Sequence, residues 1–238
     1  MARDAVRTSF RKGWQGALAA GAAVLLMAPV TATSAEYSSA NQVLFMTNHL
    51  EEFTESGVKL EYEYSREGSW DDPFEDAIVI EITEVTEQGK TAEVELFSGE
   101  RRRPFAPVQG ANGNPALLAF LQFDVSEMGG QTEQPWQRFQ GQIRSVLAYA
   151  EAEETEIEFE GETVDAKSVR LVPFMSEDGP AMDGEAQVYA EKRYEFILSE
   201  HVPGYIYQLR TELPNPEEGV DEPLMVDTMR FSKVSQDQ

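Results

Sequence analysis

Read for alternation of apolar and polar positions, the chain separates into strand-like blocks on either side of two helices. Val58, Leu60, Tyr62 and Tyr64 alternate with Lys59, Glu61 and Glu63, the period of a strand with one buried face. Gly68 to Asp72 reads as a turn, Ile78, Ile80 and Ile82 as a second strand, Gln88-Gly89-Lys90 as another turn, and Ala92, Val94 and Leu96 as a third strand. Short polar turns between successive strands predict an antiparallel meander. Its solvent face would carry Glu61, Glu63, Glu81, Glu93 and Glu95, whose like charges oppose pairing.

The period changes after residue 97. Arg101-Arg102-Arg103-Pro104 opens a Gly/Pro-rich loop that runs to Asn114-Pro115, where a capping residue precedes a first-turn proline. Ala116 to Met128 is apolar nearly all round, which predicts a helix enclosed by other elements and ended by Gly129-Gly130. A second, amphipathic helix starts near Pro135, with Trp136, Phe139, Ile143, Leu147 and Ala150 on one stripe. Strand pattern returns at Ile157 and Phe159, turns at Gly161-Glu162 and comes back through Val164, Ala166, Val169 and Leu171. Glu177 to Glu185 reads as an exposed loop, and residues 188–198 and 205–213 as long strands joined through Pro203-Gly204. Residues 214–223 form an acidic, proline-containing loop ahead of a final edge strand over 224–234.

This order predicts an α+β fold: a strongly curved antiparallel sheet, or half-barrel, with one buried and one amphipathic helix inserted mid-chain. The first 35 residues stand apart from it. Arg3, Arg7, Arg11 and Lys12, the apolar run from Ala17 to Val30 and the small residues Thr33-Ser34-Ala35 have the three-part pattern of a cleaved signal peptide. Residues 36–238 are then one soluble domain, periplasmic or secreted, with no later stretch apolar enough to span a membrane.

With that leader, the order of elements resembles the half-barrel class of periplasmic lipid and lipoprotein carriers, among them the lipoprotein-localisation factors. Tyr194-Glu195-Phe196-Ile197-Leu198 through Val202-Pro203-Gly204-Tyr205-Ile206-Tyr207 is similar to the strand, proline-containing turn and strand that close that sheet. The resemblance implies an open-sided sheet holding an apolar ligand. In general character the chain is similar to exported proteobacterial proteins.

Composition narrows the chemistry. The 238 residues include 43 acidic and 19 basic side chains, a net charge of −24. Without the leader, 15 basic and 42 acidic residues remain, or −27. An excess of that size costs stability through self-repulsion unless ions screen it, which points to a saline environment, and it repels phosphate backbones, which excludes nucleic acid as a partner. The absence of cysteine excludes disulfides, thiol nucleophiles, Cys-ligated zinc and iron–sulfur clusters. The sequence has no nucleophile elbow, zinc helix, phosphate loop or dinucleotide fingerprint, and no cofactor is expected. Of the two histidines, His49 reads as a surface residue ahead of the first strand and His201 as a turn residue.

Two clusters remain. Asp71, Asp72, Glu75 and Asp76 form a solvated acidic turn, with calcium ligation as the alternative. Arg101, Arg102 and Arg103 are the one basic run after the leader, suited to a carboxylate or phosphate headgroup or else to pairing with surplus glutamates. Tyr62, Tyr64, Phe120, Phe123, Trp136, Phe139, Tyr205 and Tyr207 are the candidate lining of an apolar pocket. The leading expectation is a non-enzymatic exported protein that binds a hydrophobic or amphiphilic ligand, or an exported protein segment. The alternatives are an assembly subunit of an envelope complex and a hydrolase working with carboxylates alone.

Overall fold

The computed structural model describes residues 37–176, 178–217 and 219–236, so the expected signal peptide lies outside the described residues. In chain order the elements are α1 (Ser39–Asn41), which runs into a π-helical turn (Gln42–Met46), β1 (Val58–Gly68), β2 (Phe74–Thr86), β3 (Gly89–Leu96), a 3-10 turn (Gly99–Arg101) and β4 (Val108–Ala111). The helices α2 (Pro115–Thr132) and α3 (Trp136–Leu147) follow, then β5 (Ala152–Phe159), β6 (Glu162–Leu171), the short pair β7 (Met175–Ser176) and β8 (Gly179–Pro180), and a second 3-10 segment (Gly184–Tyr189). β9 (Arg193–Leu198), β10 (Ile206–Leu213) and β11 (Met225–Gln236) complete the chain.

Nine strands form one antiparallel sheet in the order β4-β3-β2-β1-β11-β10-β9-β6-β5, an α+β fold that is not closed into a barrel. The predicted meander is present, with Leu60 opposite Ile80 and Ile80 opposite Val94. The segment expected at an edge is β11, and it lies instead in the middle, pairing with β1 on one side and β10 on the other. Alternation along a strand reports which face is buried and carries no information about neighbours, so edge and centre look alike in the sequence.

The inward positions of β1 to β3, β6 and β9 to β11 form one apolar core with the helices. α2 lies over β2, β3 and β10, and α3 over β6. Burying each of these Leu, Ile, Phe and Tyr side chains is worth about 1.5–3 kcal/mol. Asn114 caps α2 as expected, its side-chain oxygen accepting from the Ala116 amide at 3.0 Å. The helix does not stop at Gly129-Gly130 but continues to Thr132. Gly129 is there for contact: a Cβ on it would come within 3.2 Å of the Trp136 Cβ, where α3 begins. Gly130 faces open space.

Two further boundaries shift. The β5–β6 hairpin turns at Glu160-Gly161, one residue earlier than expected, with both residues at positive φ (51° and 85°), the geometry of a two-residue type I′ turn. The expected strand from Val188 begins only at Arg193, because Gly184–Tyr189 coils into a 3-10 segment that buries Ala186 and Tyr189. At the tip of that hairpin, Phe159 meets Phe231 of β11 at 6.0 Å although three strands separate β5 from β11. Flat strands at about 4.8 Å spacing could not bring them together, so the sheet curls strongly at this end.

Candidate functional site

Position along β1 decides the first member of the site. Val58, Leu60, Tyr62 and Tyr64 point inward, and the same parity carries Arg66 inward. On β11, Asp227 falls between the inward Met225 and Met229, directly opposite Arg66. The pair is bidentate, Arg66 Nε donating to one carboxylate oxygen at 2.7 Å and Nη2 to the other at 2.9 Å. Both residues are under 5% exposed. The free edge of the guanidinium reaches Glu127 of α2 at 2.8 Å and Asp71 of the β1–β2 loop at 3.5 Å. Phe74 and Phe123 lie against it, 5.6 and 5.4 Å from its carbon to their ring centres. Burial works against the charged guanidinium, but its bonds to Asp227 and Glu127 outweigh that and hold its pKa above the ordinary arginine value. Tyr64 beside it is held protonated, first by burial and then by the nearby Asp227 carboxylate.

The second member comes from the middle of α2. Asp124 is the only charged residue in the run from Ala116 to Val125, which is apolar apart from it and Gln122, and it is buried. Lys192, fully buried just ahead of β9, donates to one of its oxygens. The Tyr194 hydroxyl donates to the other at 2.5 Å. The Lys192 ammonium also lies 5.5 and 5.8 Å from the ring centres of Tyr189 and Tyr194. Burial and the Asp124 charge push the Tyr194 hydroxyl well above its ordinary pKa, so it stays a donor. One turn or two further along α2, Gln131 accepts from the Tyr189 hydroxyl and from the Trp70 indole.

Both cations, Arg66 and Lys192, stand on the sheet side, and α2 contributes the anions Asp124 and Glu127. The ion pairs therefore fasten the helix to the inner face. These residues match no motif and were not among the candidates from sequence. The signals were a charge at an inward strand position (Arg66, Asp227) and a carboxylate set among the apolar residues of a helix (Asp124). Among the described residues no group of three His, Asp or Glu side chains is placed to hold a metal ion.

The eight candidate lining residues do not form one surface. Tyr62, Tyr64, Phe120 and Phe123 are buried between α2 and the sheet, and Phe139 is buried on α3 against Phe174 and Tyr189. Trp136 is 37% exposed at the junction of the helices. Tyr207 packs in a small apolar cluster with Ile157, Val202 and Phe231, apart from the main core. Tyr205, at φ 67°, lines an open groove of about 530 Å3 beside Val43, Thr47 and Glu200. In the basic run, Arg101 stacks on Phe74 at 4.8 Å, Arg102 lies 3.8 Å from Glu95 and Arg103 donates to the Arg101 carbonyl, so the three diverge. In the acidic turn, Asp76 accepts from the Ala77 and Ser98 amides while Asp71 turns to Arg66 and Gln131.

His49 is not a surface residue. It is 1% exposed, its ring tilted against that of Tyr205 with centres 5.2 Å apart. Its Nε2 donates to the Val43 carbonyl at 2.7 Å and its Nδ1 accepts from the Asn114 amide at 3.2 Å. Those bonds use the neutral ring, and burial lowers its pKa. The Asn114 side chain also donates to Tyr62 and to the Gly204 carbonyl, so the start of α2 is tied to β1, to the β9–β10 turn and to the N-terminal turn at once.

No family model matches the chain. No curated protein matches it either. Among solved structures, the crystal structure of a LolA superfamily protein from Nitrosomonas europaea aligns over 84% of this chain and 94% of its own, at 9% identity and a TM-score of 0.21. A superposition that loose carries no weight for fold or ligand.

Proposed function

We propose that this protein binds a hydrophobic or amphiphilic ligand on the inner face of its sheet, in the space α2 occupies, with α2 as a displaceable cover. The observation behind the reading is how that helix is held. The inner face is otherwise apolar and aromatic, and Phe120 and Phe123 of α2 pack on it, yet the centre of α2 is also fastened by two ion pairs, the partly buried Arg66 with Glu127 and the buried Lys192 with Asp124. Apolar side chains of similar size at such positions are often as stabilising or more so. Ion pairs differ in that they can be exchanged for a ligand or for water. Gly129 and Gly130 near the end of α2 have an intrinsic helix propensity about 1 kcal/mol below that of alanine before any tertiary contact is counted, which supplies a place to bend. The leader-like start of the sequence supports a place of action outside the cytoplasm, and among the described residues no helix is long and apolar enough to cross a membrane.

Native mass spectrometry of the protein isolated without detergent, together with titration of a fluorescent fatty acid, tests this reading. A co-purified lipid or saturable one-to-one uptake is expected. A bare polypeptide mass combined with no uptake overturns it.

A further inference from the structure

Resting on the displaceable-helix reading, we propose that the ligand of the inner face is an anionic amphiphile whose carboxylate or phosphate headgroup takes the place of Asp124 between Lys192, Tyr194 and Thr211. When α2 leaves the sheet, it takes Asp124 and Glu127 with it. Arg66 keeps its bidentate bond to Asp227, which is on β11, and its contact with Asp71. Lys192 keeps nothing of the kind, because Asp124 is its one ion-pair partner among the described residues. A fully buried ammonium without a counter-charge is costly, so the occupant that replaces the helix must bring a negative group.

The seat has the shape of an oxyanion site. Lys192 and Tyr194 donate to different oxygens of one carboxylate, so Asp124 shows how a headgroup would be held. Thr211, on the inner face of β10 opposite Tyr194 and Asp227, is 1% exposed and its hydroxyl has no hydrogen-bond partner among the described residues. A buried hydroxyl is rarely left so. It is a spare donor on the inner face of the strand that pairs with Tyr194, which a headgroup with more oxygens than a carboxylate could use. The aromatic and aliphatic wall of Tyr62, Tyr64, Phe196 and Leu209 continues from it for the tail. The net charge of −24 makes the choice of an anion a sharp one, since the long-range field of the chain opposes it and only a local cation seat favours it.

The test compares probes with the same twelve-carbon tail, below their micelle concentrations and at pH 8: dodecanoate, dodecyl phosphate, dodecanol and dodecyltrimethylammonium. Wild type is expected to bind one or both anions at least about tenfold more tightly than dodecanol, the usual size of a charge-assisted hydrogen-bond contribution, and the cation less tightly than dodecanol. The stronger anion identifies the headgroup. Thr211→Val, which keeps the volume, should weaken anion binding more than it weakens dodecanol binding. Lys192→Met should bring the anion-to-dodecanol ratio close to one. Should Lys192→Met fail to fold, the wild-type ratio and Thr211→Val still decide. Equal binding of dodecanol and both anions, or preference for the cation, overturns the inference and leaves the binding reading standing. Failure of every probe to bind brings down both.

Discussion

The two faces of this sheet carry the same kinds of charged pair in opposite circumstances. On the outer face, Arg170 contacts Glu153 and Glu195, and Arg193 and Arg210 both contact Glu212, a ladder across four strands with side chains 20–71% exposed. On the inner face, Arg66 with Asp227 and Lys192 with Asp124 are 5% exposed or less. Outside, water and salt screen each pair to about 0–1 kcal/mol. Inside, the same chemistry is paid for in desolvation and recovered only if every partner is present. The outer ladder also relieves the crowding expected of the strand glutamates, since Lys59 pairs with Glu81 and Lys233 with Glu61. Charge on the outer face is a coat; charge on the inner face fastens α2 to the sheet.

The contrast can be broken at its strong end first. Asp227→Ala leaves Arg66 buried with its bidentate partner gone, and urea unfolding should show a loss of about 3–5 kcal/mol. Gly129→Ala drives a methyl group against Trp136 and the Gln134 carbonyl, and should cost about 1–3 kcal/mol in the same assay. Gly130→Ala, one residue on with nothing in the way, should raise stability by up to about 1 kcal/mol, and ligand uptake should fall as the helix stiffens.

His49 sharpens the comparison along a pH axis. The folded protein holds it neutral, with its pKa below the ordinary 6.5, so the unfolded chain takes up the proton first as pH falls. Its contribution is complete above pH 6.5 and is lost progressively below it. Thermal unfolding of wild type against His49→Gln, which can still donate and accept, should therefore converge at low pH and differ above it. Smallest of all, Glu195→Ala on the outer face should change stability by under about 1 kcal/mol and only at low salt. A loss as large there as at Asp227 would remove the distinction between the faces.

Much of this arrangement was open to reading residue by residue. Alternation placed β1, β2, β3 and β6, and the Asn114-Pro115 pair marked the start of α2. Three residues of the inner site also left traces, Arg66 and Asp227 by parity and Asp124 by its place in an apolar run. Such traces are ambiguous, because a charge at an inward position looks the same whether the strand has left the core or the charge has found a partner. Lys192 left no trace: nothing near it in sequence marks a lysine that is fully buried. His49 misled for a related reason, since its three contacts, Val43, Asn114 and Tyr205, include two that are more than 60 residues away.

By itself, then, the sequence determined the local alternation, the helix cap, the acid coat and the absence of thiol chemistry, because each depends on residue type and short-range spacing. Tertiary structure decided that β11 is central, that Gly129 is a contact surface inside α2, and that two cations of the sheet meet two carboxylates of a helix. Those outcomes depend on which distant segments share a low-dielectric interior, where one unpaired charge costs more than any local preference can supply.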